Sequence, residues 1–268
     1  MMRDHYRAFF GLQKEPFRTT VPRKDILETP DIIGVKERII YVVHLGAVGL
    51  VTGDIGSGKS TALIYAAGCF HPSEYRLIHL TATSGSILEI YRQVLCELGM
   101  DAAGTSRAIM TRNIKKDIIE LMQGKKMKTI LIIDEASLLR LEVLAEIHTL
   151  CSLNQDAFVP LIFAGQSNLV DKLMYRSSLP LASRIVARSH LEGVNREGME
   201  AYLKHHMFIA GVKTNPFDET AVTAIHQGSG GLFRKANHLA RGALIAAAQD
   251  QSVTVSAEHV RIASTETF

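Results

Sequence analysis

Cysteine is scarce in this chain. Cys69, Cys96 and Cys151 are odd in number, widely spaced and without any metal-ligand pairing. That usage argues against a disulfide framework or a cysteine-held metal and points to a reducing compartment. Long apolar runs are lacking too. The longest, residues 39–51, is interrupted by His44 and falls short of the roughly 20 residues needed to cross a bilayer. The N-terminal stretch 1–16 carries charges and has no continuous apolar centre, so it does not read as a signal peptide, and a cytoplasmic protein with no membrane segment is expected. Charge of one sign is not in large excess. Lys and Arg number 30 against 27 Asp and Glu, a net of +3 with pI near 8.7, which permits contact with nucleic acid without demanding it. There is no internal repeat, no low-complexity tract, no helix-turn-helix, no zinc ligand set and no aromatic RNA-binding motif. Sequence-specific reading of DNA by this chain is therefore not expected. The eleven histidines form no metal set. The adjacent His205 and His206 point to different sides of a helix and read as surface or structural residues.

What is present is a folded chain of 268 residues with 47% hydrophobic residues, enough for one large domain or a medium and a small one. Continuous apolar runs at 45–52, 129–133 and 159–164, with a shorter one at 76–80, read as buried strands. Between them, helical spacing covers 60–70, 86–98, 113–122 and 138–153. Strands that are apolar throughout and alternate with helices predict a parallel sheet covered on both faces. After about residue 195 the pattern changes to helices at 196–210, 218–227, 232–249 and 257–263, with a weak strand signal at 253–255. The predicted division is an α/β nucleotide-binding domain over 1–194, with an N-terminal segment 1–35, and a small helical domain over 195–268.

Gly53-Asp54-Ile55-Gly56-Ser57-Gly58-Lys59-Ser60 matches the full phosphate-loop pattern G-x-x-x-x-G-K-[ST], between a predicted strand and a predicted helix. The glycines allow backbone angles closed to other residues, so consecutive N–H groups can turn inward around an anion. The helix beginning near Lys59 adds the positive end of its dipole. Lys59 is placed to reach the β- and γ-phosphates, and the Ser60 hydroxyl to reach Mg²⁺. Thr61 completes the set expected to hold ATP. Downstream, the strand Thr129–Ile133 runs into Asp134-Glu135. In a parallel sheet that strand end opens beside the phosphate loop. Asp134 can then hold Mg²⁺, directly or through water, and Glu135 can polarise an attacking water.

These stretches resemble the AAA+ ATPases, in particular the ExeA-like group that includes the general secretion ATPase and transposon-encoded ATPases of the TniB, TnsC and MuB type. The resemblance extends to Tyr6-Arg7-Ala8-Phe9-Phe10-Gly11-Leu12 with Pro16-Phe17, Leu161–Gln166, Ser183-Arg184-Ile185, Gly230–Asn237 and Glu258-His259-Val260. It implies an α/β P-loop core followed by a helical lid. It also implies roles for Gln166 as the polar sensor ending the strand after Asp134, for Arg184 as an arginine finger given to a neighbour's ATP, with Arg176 and Arg188 as rivals, and for Arg234 as a second sensor opening a helix of the lid. The glycines at 228–231 would give Arg234 a flexible approach. The N-terminal aromatics either pack near the adenine or are ordinary core. The chain ends soon after the helical region, without the membrane and cell-wall segments of the secretion branch, so the resemblance favours a transposition regulator. Such a protein forms a ring or filament of identical subunits on double-stranded DNA and recruits or activates a transposase. The alternatives are an ATPase assisting secretion or envelope assembly, and a nucleotide-dependent scaffold with little turnover. The basic stretch Arg107, Arg112, Lys115, Lys116, Lys125, Lys126 and Lys128 is the candidate DNA contact, or else a solvated helix face.

Overall fold

The computed structural model describes residues 2–101, 106–153 and 157–265. In chain order the elements are α1 (Met2–Phe9), α2 (Pro30–Leu45), β1 (Val48–Gly53), α3 (Lys59–Ala67), β2 (Tyr75–Thr81), α4 (Ile87–Glu97), α5 (Arg107–Gly124) and β3 (Lys128–Asp134). They continue with α6 (Leu141–Cys151), β4 (Leu161–Gly165), α7 (Asn168–Leu173), α8 (Leu179–Ala182), β5 (Ile185–Leu191), α9 (Arg196–Ile209), α10 (Glu219–Ser229), α11 (Phe233–Gln249) and α12 (Ala257–Thr265). By packing, the chain forms two compact units. A sheet unit comprises Pro30–Gly53 and Lys59–Leu191, and a helical unit comprises Met1–Thr29, Asp54–Gly58 and Glu192–Phe268. The sequence pattern placed the N-terminal segment with the nucleotide-binding domain. Packing instead groups residues up to Thr29 with the C-terminal helices, while α2 belongs to the sheet unit.

The sheet unit holds five strands in the order β2-β3-β4-β1-β5, every neighbouring pair parallel. All residues of β1 and β4 are buried, and β3 is buried except at Lys128. This explains their unbroken apolar sequences, since a strand covered on both faces has no solvent side to alternate toward. Ile130, Ile132, Ile133 and Phe163 are among the largest fully buried side chains, each contributing roughly 1.5–3 kcal/mol by leaving water. Gly49 is a packing glycine. A Cβ there would lie 3.0 Å from Val42 and 3.1 Å from Ile162, so its bareness lets α2 approach β1. The helix α2 stops at Gly46, whose φ of +63° supplies the left-handed residue that commonly closes a helix. The expected strand beginning at Leu45 is thus the last turn of α2 followed by β1.

The strand β5 was not anticipated. Its sequence Ile-Val-Ala-Arg-Ser-His-Leu buries only Ser189 and Leu191 fully, because it is an edge strand paired with β1 alone. An exposed edge accepts polar residues that hide the strand pattern.

The helical unit packs α1 and α9–α12 around its own core. Asn195 and Asp218 cap α9 and α10, their side chains accepting the N–H groups of Gly198 and Ala221, each at 2.8 Å. Such caps are worth about 1 kcal/mol apiece. Small residues let α11 and α12 meet closely, and a Cβ on Gly242 would come within 2.6 Å of Ala263 Cβ. Of the N-terminal aromatics left open between core and adenine, Tyr6 and Phe17 are core, at 1% and 0% exposure. The Tyr6 hydroxyl donates to Glu15, and Arg241 donates to the Phe17 carbonyl at 2.6 Å. Val253–Val255 forms no strand. Val255 makes an isolated parallel bridge with Phe217.

His206 lies inside this core, only 3% exposed. Its ring is stacked on Phe17 at 5.2 Å and against Tyr202 at 4.3 Å, and its Nδ1 has no hydrogen-bond partner in the protein. Burial foremost, and then the neighbouring His205, push its pKa down from 6.5 to about 3. The folded protein keeps this ring neutral while the unfolded chain takes up a proton below about pH 6.5. Stability from this residue is therefore complete above that value and declines as pH falls toward 3. At pH 5 the loss should be about 2 kcal/mol. Urea unfolding of the wild type and of His206→Phe at pH 8 and pH 5 should show a smaller acid-induced loss in the variant. Equal losses would show that His206 is not the responsible group.

Candidate nucleotide-binding site

The phosphate loop leaves β1 at Gly53 and enters α3 at Lys59. Gly56 and Gly58 have φ of +88° and +98°, the region in which the absence of a Cβ is required. Ser57 is buried at 4%, and its hydroxyl has no hydrogen-bond partner in the protein. The loop thus turns glycine-permitted backbone and an unsatisfied hydroxyl toward the position a phosphate occupies in such loops.

In the sheet unit, the register brings the carboxyl ends of three strands together. Thr52 of β1 pairs with Gly165 of β4, and Ile133 of β3 pairs with Phe163 of β4. Gln166, half-buried, follows directly after Gly165, so the structure sets it between the end of β1 and the Asp134-Glu135 end of β3. Lys59 is 6% exposed, and its ammonium donates to the Gly53 carbonyl at 2.9 Å. The Ser60 hydroxyl donates to one Asp134 carboxylate oxygen at 2.6 Å. The other Asp134 oxygen accepts the Glu135 N–H at 2.8 Å. Both oxygens are therefore oriented by protein hydrogen bonds. A hydroxyl and a carboxylate form a hard-oxygen pair, which suits Mg²⁺, an ion that takes one or two protein oxygens and keeps several waters. Ser60 and Asp134 would hold it, and its chemistry is to neutralise charge on phosphate oxygens.

Glu135 has φ +53° and ψ +30°, left-handed values that are uncommon for a residue with a side chain. Such a conformation costs roughly 1–3 kcal/mol and persists only when its surroundings enforce it. Here a 3-10 turn, Ala136–Leu138, follows at once, and the Leu138 N–H donates to the Glu135 carbonyl at 2.9 Å. The helix predicted over 138–153 is shorter than expected. Leu138 belongs to this turn and α6 begins at Leu141.

In the helical unit, Asp54–Gly58 meets the start of α11. The Arg234 N–H donates to the Gly56 carbonyl at 3.4 Å. A Cβ on Gly56 would sit 2.7 Å from Arg234 Cβ, and one on Gly58 would sit 3.3 Å from the Phe233 ring. The glycines before Arg234 are not a flexible approach. Val194 donates to the Gly231 carbonyl at 3.0 Å, and His226 bonds the Val194 carbonyl at 3.0 Å. A Cβ on Gly193 would lie 2.1 Å from the Gly230 carbonyl oxygen. Two backbone segments cross here with no side chain between them, and hydrogen bonds fix the crossing.

Arg184 stands apart from this cluster. Its carbonyl accepts from Val48, the first residue of β1, at 2.9 Å, so it lies at the opposite end of the strand from Gly53. Its guanidinium rests over the Phe158 ring at 4.6 Å and meets His148 at 3.4 Å, and the His148 pKa is lowered by burial and by this cation. Six residues of strand, about 16–20 Å, separate Arg184 from its own phosphate loop. Arg188 is opposite Leu50 in mid-strand, and Arg176 lies in a 3-10 turn before α8. Sequence reading overlooked His190, whose Nδ1 is 3.0 Å from the Thr52 hydroxyl at the entrance to the loop, because the strand carrying it was hidden. Of the basic stretch, Arg107 is paired with Glu146 at 2.7 Å and Lys115 donates to the Ser152 carbonyl at 2.7 Å. Arg112, Lys116, Lys125, Lys126 and Lys128 are exposed.

Residues 44–173 match the AAA domain family. General secretion pathway protein A of Aeromonas hydrophila is 26% identical over 257 residues, covering 90% of this chain and 45% of that protein. The chain thus spans less than half the length of this relative. Among solved structures, Cdc6p of Pyrobaculum aerophilum superposes with a TM-score of 0.74 at 16% identity, over 94% of this chain and 70% of the other. The ORC1 protein of Aeropyrum pernix in complex with DNA gives 0.66 at 18% identity, over 92% and 68%. The RuvB Holliday junction branch migration motor of Thermotoga maritima gives 0.55 at 15% identity, over 87% and 68%. At such identities these structures establish the fold alone. Over residues 44–173 the chain thus matches an AAA domain, its fold is that of the AAA+ P-loop proteins, and its sequence is similar to that of General secretion pathway protein A.

Proposed function

We propose that this protein hydrolyses ATP with Mg²⁺ and that the nucleotide controls its assembly with further copies of itself on double-stranded DNA, where it recruits or activates a transposase. The observation that carries the ATPase reading is the Ser60–Asp134 bond at 2.6 Å beside a Glu135 held in a left-handed conformation. In this reading Ser60 and Asp134 would hold the ion, Lys59 would neutralise the β- and γ-phosphates, and Glu135 would take a proton from the attacking water. Gln166 orients that water, and Arg234 is the second sensor that the family resemblance implies. Arg184 is at the wrong end of the sheet for its own ATP, which supports a role toward a neighbouring subunit's.

DNA as the partner is supported by the exposed Lys125, Lys126 and Lys128 after α5, which can neutralise phosphates without reading bases. Lys115, half-buried with its ammonium on the Ser152 carbonyl, drops out of that surface, while Arg107 stays exposed beside Glu146. The second reading, assistance to secretion or envelope machinery, is favoured by the homology to General secretion pathway protein A. Among the described residues no helix is long and apolar enough to cross a membrane.

Three measurements test these assignments. Lys59→Ala should weaken ATP binding more than tenfold, beyond about 1.4 kcal/mol, whereas Glu135→Gln should bind ATP normally and turn over far more slowly. A Glu135→Gln protein with parental turnover would remove Glu135 from the chemistry. Arg184→Ala mixed with Glu135→Gln should recover part of the hydrolysis each lacks, because one interface of the mixed assembly has both residues intact. Subunit exchange is monitored by labelled protein, and a mixed assembly without recovery would refute the shared site. Finally, fluorescence polarisation should show binding to DNA duplexes of unrelated sequence, tighter with a non-hydrolysable ATP analogue than with ADP. Affinity should fall steeply between about 50 and 200 mM salt, and Lys125→Glu/Lys126→Glu should weaken all sequences alike. An assembly that forms with ATP but ignores DNA would favour the secretion reading.

A further inference from the structure

Gln166 and Glu135 lie on the ends of neighbouring strands, and the residues behind them are joined. The helix α7 begins two residues after Gln166, whose carbonyl accepts the Leu169 N–H at 3.0 Å. Leu169 and Leu173 are buried and anchor α7 in the core of the sheet unit. Between them Lys172 turns its ammonium onto the segment that follows Glu135. It donates to the Ser137 carbonyl at 2.6 Å and to the Leu139 carbonyl at 2.8 Å. The same turn is braced from β4, since a Cβ on Gly165 would come within 2.8 Å of the Ser137 nitrogen. The Ser137 hydroxyl is buried and has no hydrogen-bond partner in the protein, so the turn is held by its backbone rather than by its own side chain.

We infer that Lys172 is a positioning residue for Glu135. Its two charge-assisted hydrogen bonds fix the 3-10 turn against which the left-handed Glu135 is wound, and they tie that turn to the helix that starts from Gln166. Movement of the β4–α7 junction when Gln166 meets a γ-phosphate is thereby passed to the carboxylate that prepares the water. A lysine suits the task because one ammonium can reach two carbonyls at once. Apolar residues at 172 leave both carbonyls without that donor, and the turn loses its brace while Glu135 keeps its identity. The inference rests on the ATPase reading proposed above.

The test is steady-state ATP hydrolysis by the full chain, with ATP affinity measured separately by a fluorescent analogue. Lys172→Met should lower kcat about 10- to 100-fold, the scale of a misplaced catalytic group, with KM and analogue affinity changed less than about threefold. Lys172→Arg, which keeps a cation with several donors, should recover part of the rate. The decisive comparison is in the Glu135→Gln background. There, adding Lys172→Met should cost little more, because a residue acting through Glu135 has nothing left to position. Parental kcat in Lys172→Met, or the same fold-loss with and without Glu135, would overturn the inference while leaving the ATPase reading intact. If Lys172→Met fails to fold, Lys172→Arg and Lys172→Gln are compared in the same two backgrounds and judged by the same outcomes. A wild-type protein that binds ATP and never hydrolyses it would instead defeat the ATPase reading, and this inference with it.

Discussion

The position of β4 between β1 and β3 is the constraint on which the rest of the site depends. Neighbouring strands lie about 4.8 Å apart, so β1 and β3 are held roughly 10 Å from each other. That gap leaves the first turn of α3 room to lower the Ser60 hydroxyl onto Asp134. It also sets Gln166 at the end of the central strand, with the end of β1 on one side and Glu135 at the end of β3 on the other. The apolar character of the three strands is therefore the foundation of the chemistry at their ends, since a sheet buried on both faces cannot shift its register without unmaking its core.

How much of this could be read from the residues depended on whether local pattern and tertiary role agreed. The strands β1, β3 and β4 are buried throughout, so their continuous apolar runs gave them away, and the phosphate loop and the acidic pair stood at their ends in plain sequence. The edge strand β5 carries Arg188, Ser189 and His190, and its pairing comes from β1 rather than from a pattern of its own. The helix α2 was concealed by contiguity. Its apolar last turn runs into β1, and only Gly46, with its left-handed backbone, separates a helix of period 3.6 from a strand of period 2. The gathering of residues 1–29 with helices more than 160 residues away had no local signal, because it is written in the complementarity of Tyr6 and Phe17 to a distant core.

Site residues sort the same way. Lys59, Ser60, Asp134 and Glu135 sit in motifs whose spacing is dictated by phosphate and ion geometry, so sequence is enough to propose them. Arg184 carries no such spacing, and only resemblance singled it out. Lys172 looks like any solvent-facing lysine on a short amphipathic helix, and nothing short of coordinates reveals that its ammonium is committed to two carbonyls. The glycines of 228–231 were misread for a related reason. A cluster of glycines has the same composition whether it serves freedom or close contact, and the approaches at Gly193 and Gly231 favour contact.

The bond from Arg241 to the Phe17 carbonyl joins residues 224 positions apart, and this bears on how the chain matures on the ribosome. At about 5–20 residues per second, Phe17 is made roughly 10–45 s before its partner. Throughout that interval the aromatic side chains of the N-terminal segment have no core to enter. Gly56 likewise waits for Arg234, the residue whose N–H meets its carbonyl. The sheet strands are complete once Leu191 has emerged, but the helical unit closes only when residues 1–29 meet helices made after Glu192. Nascent chains are thus vulnerable to proteases and attractive to chaperones along the segment of Tyr6 and Phe17, and premature termination within α11 would leave that segment without its core.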